Sequence, residues 1–326
     1  MKICVTGAGG FIGKALVGQL TAQGHIINLL TRVEKSSTVD KNYFVANLLD
    51  ENVSLDAFLG DASVIYHCAG EIKNVSLMHG LHVDGTRRLL AAVRAKIKAT
   101  KQGIHWVQLS SVGAYGPPAG AVNEWRVVTE ETPCKPVGEY EVTKTIADEL
   151  VKEFAKTEPL FTYTILRPSN VVASSMPNQS LRSLVGMIKR RLFFYIGSRT
   201  AVATYVHLED VVAALLLCGT DTRAQGQVFN LSNDCALSHM VGMIAKTSVI
   251  TPPNVCVPEW PLRLFVKLVS PLVRTPLTQD RIDALVRHTY YSTNKLRDIL
   301  GFVPKHDIPV DVCHMFDEKL NDQLNE

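Results

Sequence analysis

Short apolar runs rich in β-branched residues alternate with amphipathic stretches along the first half of the chain. The runs predict strands at 2–5, 25–31, 42–46, 63–69, 105–111 and 161–168. The stretches between them predict helices at 11–23, 83–99 and 140–157. Strands that alternate with helices are typical of parallel strands joined by right-handed crossovers, so we predict an α/β fold with a doubly wound parallel sheet.

The alternation becomes looser after Pro168. Residues 204–218 predict a strand followed by a helix, 227–232 a strand, and 293–300 a short helix. The sequence shows no internal repeat and no obvious linker. We therefore expect residues 1–168 to form one domain, with 204–232 returning to its sheet. Residues 169–326 are expected to form mainly a smaller C-terminal lobe.

A bare turn follows the first predicted strand. Gly7, Gly10 and Gly13 recur at every third position, and Gly9 lies between them. A turn from a strand into a helix directs unpaired N–H groups and the positive end of the helix dipole at one point, which suits a phosphate. The alternative is a tight strand–helix turn that binds no ligand. The position of the turn predicts a dinucleotide site that includes Gly7, Gly9, Gly10, Phe11, Ile12 and Gly13.

The end of the second predicted strand bears on the choice of dinucleotide. An acidic residue there would bind the adenosine ribose hydroxyls and repel a 2′-phosphate. This chain has Thr31 and Arg32, with Lys35 close by, and its first acid is Glu34. Because a guanidinium binds phosphate with two parallel hydrogen bonds, we expect NADP(H), with NAD as the alternative. A solvated loop arginine would explain Arg32 equally simply.

Tyr140 and Lys144 are four residues apart on a predicted helix and therefore share a face. A free phenol has a pKa of about 10, and an ammonium near 4 Å favours the phenolate by roughly 4 kcal/mol at an effective dielectric of ~20. We therefore expect Lys144 to lower the pKa of Tyr140 towards neutrality. Ser110 and Ser111 end the fifth predicted strand, at the edge of the sheet where such folds carry their chemistry.

An ordered set of segments carries a family resemblance. They are TGAGGFIG (6–13), VIYHCAG (64–70), HVDGTRRLL (82–90), LSSVGAYG (109–116), YEVTK (140–144), LRPSNVV (166–172), YVHLEDVVAA (205–214) and LGFVP (300–304). This set resembles the extended short-chain dehydrogenase/reductase superfamily, in its NAD(P)-dependent epimerase/dehydratase branch. The resemblance implies a Rossmann sheet and a C-terminal lobe that binds substrate.

The resemblance also implies roles for single residues. Ser111 corresponds to the catalytic hydroxyl, Tyr140 to the acid/base, and Lys144 to the residue that holds the nicotinamide ribose and tunes the tyrosine. Ser111, Tyr140 and Asn170 are the implied substrate contacts. Besides the glycine turn, Thr31 and Arg32, the implied cofactor contacts are Asn47, Leu48, Cys68, Ala69, Gly70, Ser110, Tyr140, Lys144 and Pro168.

Three positions depart from the family pattern. His82 replaces an asparagine that ordinarily supports a proton path, and it is either a substitute relay or a bystander. Asn47 replaces an aspartate that contacts adenine. Ala203 stands where nucleotide-sugar enzymes often carry an arginine that grips the diphosphate. Another arginine would have to bind the diphosphate in its place, and the candidates are Arg182, Arg190, Arg191, Arg199, Arg274 and Arg281.

Four functions fit these residues. The leading hypothesis is an NADP(H)-dependent oxidoreductase that transfers hydride at a secondary alcohol or ketone carbon of a nucleotide-activated sugar, for example a 4-keto sugar. The second is a nucleotide-sugar epimerase with tightly bound NAD. The third is a hydroxysteroid-type dehydrogenase, which the missing arginine at Ala203 favours. The fourth is a non-catalytic NADP-binding regulator, against which the Ser111, Tyr140 and Lys144 set argues.

Composition narrows the setting of this chemistry. The 326 residues carry a formal net charge of +3, too small to indicate a nucleic-acid partner. Seven cysteines lack metal-binding spacing, so we expect reduced thiols, no metal centre and a cytoplasmic location. No signal peptide or membrane span is predicted. We expect the apolar stretch 260–273 to pack on the protein itself rather than on a membrane surface, and a homodimer by analogy with relatives.

Overall fold

The computed structural model describes residues 2–121, 123–176, 179–269 and 278–316. Its strands are β1 (Lys2–Thr6), β2 (Ile26–Thr31), β3 (Lys41–Val45), β4 (Val64–His67), β5 (Ile104–Leu109), β6 (Trp125–Val128), β7 (Phe161–Pro168), β8 (Asn170–Val172), β9 (Tyr195–Ile196), β10 (Val202–Ala203), β11 (Tyr205–His207), β12 (Gln227–Leu231), β13 (Cys235–Ala236), β14 (Cys256–Val257) and β15 (His288–Tyr291).

Twelve α-helices lie between and after these strands in the described residues. They are α1 (Phe11–Ala22), α2 (Asp56–Leu59), α3 (Val75–His79), α4 (Gly85–Thr100), α5 (Glu139–Thr157), α6 (Gln179–Lys189), α7 (Leu208–Thr220), α8 (Leu237–Thr247), α9 (Glu259–Val269), α10 (Gln279–Val286), α11 (Asn294–Leu300) and α12 (Ile308–Met315). A π-helical turn, Gly80–Asp84, joins α3 to α4.

Seven strands form one parallel sheet in the order β12-β7-β5-β4-β1-β2-β3. The prediction of a doubly wound parallel sheet is confirmed. The chain winds in one direction from β1 through β2 to β3, and in the other from β4 onwards. The direction reverses beside β1, and ligands bind in the crevice at the carboxyl ends of the strands at such a reversal.

Helices cover both faces of the sheet, because its central strands are apolar on both sides. All residues of β4 and β5 are buried. On one face, α1 and α7 pack against β1 through Leu16, Leu20, Val211 and Leu215. On the other face, α4 and α5 pack against β5 through Leu89, Val93, Val151 and Phe154. Burial on both faces is typical of parallel sheets and explains why these strands are continuous apolar runs.

The chain after Pro168 contributes to two bodies of structure. β12 pairs with β7 and extends the main sheet, with Leu231 opposite Pro168. β11 instead pairs with β8 outside that sheet, with His207 opposite Val172. Thus only the second strand of the segment 204–232 joins the sheet. A separate core surrounds α6, α8 and α12, with Leu184, Val185, Met240, Val241 and Val312 at its centre.

Two further features concern the described part of the chain. None of its helices is both long enough and apolar enough to cross a bilayer. Its cysteines are all free thiols, and Cys4 and Cys218 are buried.

Candidate active site

The glycine turn joins β1 to α1 at the point where the sheet order reverses. Gly7 has a φ of +69°, and its carbonyl accepts a hydrogen bond of 2.9 Å from the N–H of Gly10. Gly10 caps α1 without a side-chain hydrogen bond, so no side chain there satisfies the first N–H groups of the helix. A Cβ at Gly9 would meet nothing within 4 Å. The turn therefore leaves open space in front of uncapped amides, which fits a phosphate group.

A substitution at Gly13 tests how closely the start of α1 approaches the backbone of Gly7. A Cβ at Gly13 would lie 2.1 Å from the Gly7 carbonyl oxygen, whereas one at Gly18 on the same helix would meet nothing within 4 Å. We expect Gly13→Ala to lower the free energy of unfolding by about 1–3 kcal/mol and to weaken dinucleotide binding. Gly18→Ala should raise the free energy of unfolding by about 0.5–1 kcal/mol. Urea unfolding of both variants measures this, and equal midpoints would contradict it.

A cleft of about 420 Å³ adjoins the turn. The predicted cofactor residues that line it are Gly7, Gly9, Gly10, Thr31, Arg32, Asn47, Leu48, Cys68, Ala69 and Gly70. Residues that line it but were not predicted to bind cofactor are Thr6, Ala8, Leu30, Val33, Lys35, Ala46, Leu49, Glu71, Leu77 and Leu81. Eight of them lie at or just after the ends of β1, β2, β3 and β4, and this was the available signal, since these strand ends meet in one crevice. The other two, Leu77 and Leu81, lie in α3 and in the π-helical turn.

The other predicted cofactor residues do not line this cleft. Phe11, Ile12 and Gly13 open α1, and Gly13 is buried against the turn. Ser110 follows β5, and Pro168 ends β7. Tyr140 and Lys144 lie in the first turns of α5.

Both charge signs occur at the cleft. Arg32 and Lys35 supply cations at the end of β2, and Glu71 lies after β4. The Glu71 carboxylate accepts hydrogen bonds of 2.9, 2.8 and 3.1 Å from the N–H groups of Ile72, Lys73 and Asn74. These bonds, chiefly that from Lys73, hold the pKa of Glu71 below its ordinary value, and Arg32 lowers it further. Glu71 therefore stays ionised and caps its own loop.

Asn47 is the exposed residue at the adenine end of the predicted site. Its side-chain oxygen accepts a hydrogen bond of 3.1 Å from the N–H of Leu49. This bond fixes the amide in its own turn and leaves its NH₂ group as the donor for a ligand.

Lys144 links α5 to the end of β5. Its Nζ is buried and donates a hydrogen bond of 2.5 Å to the carbonyl oxygen of Leu109, two residues before Ser111. Burial lowers the pKa of Lys144, while Asp148 raises it. This bond holds the first turns of α5, which carry Tyr140, against the end of β5.

The electrostatic expectation for Tyr140 is wrong in the chain as it stands. Its pKa is raised to about 12, first by burial and then by the carboxylates of Glu141 and Asp148. Lys144, to which we assigned a lowering of this pKa, is not among these causes, and its ammonium donates its hydrogen bond to Leu109 instead. The hydroxyl is therefore protonated at neutral pH and is a proton donor.

Ser110 and Ser111 lie in different environments. The Ser110 hydroxyl is buried and donates a hydrogen bond of 2.7 Å to Asp148. Asp148 also accepts hydrogen bonds of 3.0 and 3.2 Å from Arg167. In this ion pair the Asp148 side chain is 0% exposed and the Arg167 side chain 2% exposed. Ser111 is half-buried, and its Oγ accepts a bond of 3.1 Å from the N–H of Gly113. The Ser110 hydroxyl therefore links the end of β5 to α5, whereas the Ser111 hydroxyl can still donate a hydrogen bond to a ligand.

His82 forms a bridge between two walls of the site. Its Nε2 accepts a hydrogen bond of 2.8 Å from the N–H of Glu71, so Nδ1 carries the proton. Nδ1 lies 2.7 Å from the Thr143 hydroxyl, which donates a bond of 2.7 Å to the carbonyl of Glu139. Burial, then Lys144, lowers the pKa of His82 to about 3. With both ring nitrogens occupied, the neutral ring holds the loop after β4 against α5.

Comparisons with known proteins decide the family. Residues 3–232 match the sequence profile of the NAD dependent epimerase/dehydratase family. The chain belongs to this family. It is thus an NAD(P)-dependent enzyme of the extended short-chain dehydrogenase/reductase superfamily, and the resemblance noted in the sequence is confirmed.

Relatives of this epimerase/dehydratase family member differ in their substrates. Mouse (Mus musculus) sterol-4-alpha-carboxylate 3-dehydrogenase, decarboxylating, is 23% identical over 93% of this chain and 86% of its own length. The dTDP-6-deoxy-L-talose 4-dehydrogenase (NAD(P)(+)) of Kitasatospora kifunensis is 27% identical over 76% of this chain and 79% of its own. The structure of MoeE5 in complex with UDP-glucose and NAD matches all of both chains, with a TM-score of 0.72 and 22% identity.

The structure shows the surroundings of Asn170 and Ala203, the two positions that the sequence analysis linked to substrate. The Asn170 side chain donates a hydrogen bond of 2.9 Å to the carbonyl of Thr204. Ala203 is buried in β10, opposite Cys235. Of the arginines considered as replacements, Arg182 lies over Phe316, and Arg199 lies over Tyr195 and donates to Asn254. Arg274 lies outside the described residues.

Proposed function

We propose that the protein is an NADP(H)-dependent oxidoreductase that transfers hydride at a secondary alcohol or ketone carbon of a nucleotide-activated sugar, such as a 4-keto sugar. The observation that supports the redox part is the position of Tyr140 on a helix tied by Lys144 to the end of β5, at the same edge of the sheet as the glycine turn. The bound nicotinamide would supply or accept the hydride.

The chain's own groups have separate tasks in this proposal. The amides of the glycine turn hold the pyrophosphate, and Lys144 supports the nicotinamide ribose. Ser111 donates or accepts a hydrogen bond at the substrate oxygen. A pKa raised to about 12 keeps the Tyr140 hydroxyl protonated at neutral pH. As hydride reaches the carbonyl carbon, this hydroxyl gives its proton to the more basic alkoxide oxygen that forms, and it recovers a proton from solvent.

The preference for NADP(H) rests on Arg32 and Lys35 at the cleft, where an NAD-selective site would place an acid after β2. We expect Arg32→Ala to weaken NADPH binding about tenfold and to leave NADH binding unchanged, since only NADPH carries the 2′-phosphate. Lys14→Ala, an exposed cation on α1 outside the cleft lining, is the control. Titration calorimetry measures both coenzymes, and an equal preference in wild type and Arg32→Ala would refute the assignment.

The nucleotide-sugar part is supported by the relatives that act on a dTDP-sugar or are seen with UDP-glucose. Native mass spectrometry of the purified protein tests it. The spectrum first identifies the retained cofactor, and UDP-, GDP- and dTDP-sugars are then added in turn. The proposal expects one of these sugars to add to the complex and to be turned over with NADPH. Purification with bound NAD and turnover without added cofactor would instead favour an epimerase.

A second candidate is the reduction of an apolar ketone. Ala203 occupies the position of the diphosphate-binding arginine and is buried, so that point of the lobe offers no charge to a diphosphate. The mouse relative is, by name, a sterol dehydrogenase. Turnover of a hydroxysteroid or another apolar ketone, with no response to any nucleotide sugar, would favour this candidate.

The predicted homodimer stays a prediction. The outer surface of α5 supports it, because Val142, Ile146 and Leu150 line an apolar groove there. Light scattering of the purified protein tests the oligomeric state.

A further inference from the structure

The outer side of α9 is apolar and open to solvent. Trp260, Leu264, Phe265 and Leu268 are 73%, 49%, 56% and 63% exposed. At 100° per residue these four side chains occupy one continuous sector of the helix. We call this sector the α9 face. Scattered exposed apolar residues are normal on proteins, but four large ones on one helical face indicate an interaction surface.

The opposite side of α9 already has its partner in the fold. Val266 is buried with Ile196 of β9 and Ile282 of α10, and Leu262 packs on the same cluster. The Arg263 side chain pairs with Glu259 and Asp283 at 2.7 Å each. One side of the helix therefore packs on the protein itself, as expected for the stretch 260–273, whereas the α9 face on its other side does not. Residues 270–273 of that stretch lie outside the described residues.

Further exposed apolar residues lie near the strand that leads into α9. β14, which leads into α9, pairs with β9, and the N–H of Tyr195 donates to the carbonyl of Val255. Leu192, which enters β9, is 64% exposed, and Val255 is 59% exposed. Exposed apolar residues therefore precede both strands of the pair that leads into α9.

Cations border this surface. Lys267 is exposed at the edge of the α9 face, and the exposed Arg190 and Arg191 directly precede Leu192. The acids on the inner side, Glu259 and Asp283, are neutralised by Arg263. The α9 face therefore combines aromatic and aliphatic side chains with a lysine at its edge, and two further exposed cations precede the apolar Leu192.

We propose that the α9 face docks this enzyme on an anionic lipid surface. An anchored helix that presents tryptophan, phenylalanine and leucine, with lysine and arginine beside them, matches the chemistry of the headgroup region of a bilayer. A second copy of the chain fits less well. A two-fold contact through this face would collect Lys267, Arg190 and Arg191 of both copies around one interface, where like charges repel.

Sedimentation with vesicles tests the proposal on the full chain. Vesicles contain either phosphatidylcholine alone or phosphatidylcholine and phosphatidylglycerol in equal amounts. We expect binding to the anionic vesicles at low salt, weaker binding at high salt, and little binding to phosphatidylcholine. The double variant Leu264→Gln/Phe265→Gln should bind the anionic vesicles about tenfold more weakly, because two inserted side chains are lost.

Two further variants sharpen the result. Val303→Gln replaces another exposed aliphatic residue away from α9 and should bind like the wild type. Arg190→Gln/Arg191→Gln should reduce the preference for phosphatidylglycerol. Absence of vesicle binding, or binding that the Leu264/Phe265 substitutions leave unchanged, overturns the proposal. Self-association that those substitutions abolish, without lipid binding, would identify an interface between copies and also overturn it.

Discussion

Tyr140→Phe is expected to lower kcat by about 10² to 10⁴ and to leave NADPH affinity unchanged. The substitution removes only the hydroxyl that donates the proton, while the ring, the Lys144–Leu109 hydrogen bond and the glycine turn remain. The measurement is steady-state turnover of whichever ketone the wild type reduces, together with calorimetric titration of NADPH. A loss confined to kcat separates proton donation from cofactor binding.

Tyr163→Phe is the matched control for this prediction. Tyr163 lies near the start of β7, at the end of the sheet opposite the cleft, and its conversion to Phe should leave kcat unchanged. If Tyr140→Phe turned over at the wild-type rate, another group would have to protonate the substrate, and the proposed chemistry would fail.

Asp148→Asn is expected to lower the free energy of unfolding by about 3–5 kcal/mol, because it leaves the buried Arg167 guanidinium without a counter-charge. The Asp148 carboxylate is fully buried and accepts three hydrogen bonds, from Ser110 and from two atoms of Arg167. It is also the largest influence that raises the pKa of the buried Lys144. Chemical denaturation measures the loss of stability.

Two controls accompany this variant. Glu149→Gln, on the same helix, breaks the exposed pair of Glu149 with Lys152 and should cost less than about 1 kcal/mol. The double variant Asp148→Leu/Arg167→Met removes both buried charges and should recover most of the lost stability. If Asp148→Asn unfolds at the same denaturant concentration as Glu149→Gln, the buried pair is not what holds α5 to the sheet.

Local pattern predicted the framework of this protein well. The strand at 2–5 and the helix at 11–23 fall within a residue or two of β1 and α1, because a buried strand and an amphipathic helix each carry their own periodicity. The bare turn between them marked the crevice, since several glycines in a strand–helix turn are informative without long-range knowledge. The pairing of β11 with β8 was missed, because short strands of two or three residues have no period to detect.

The sequence predicted which residues form the candidate site, but it did not predict the contacts that these residues make in the fold. Tyr140 and Lys144 follow from spacing on one helix. The raised pKa of Tyr140 depends on burial and on Asp148, neither of which spacing reveals. The role of Ser110 depends on a partner 38 residues away, and the place of Glu71 at the cleft depends on how β4 ends. These are tertiary relations between elements that are far apart along the chain.

The histidine bridge has a consequence for how the two halves of the catalytic machinery move. Three successive short bonds run from the Glu71 amide through His82 and Thr143 to the Glu139 carbonyl, the residue before Tyr140. In the proposed function, we expect a displacement of the loop after β4 to shift the start of α5 through these bonds. Binding of the dinucleotide against that loop would then also position the Tyr140 phenol.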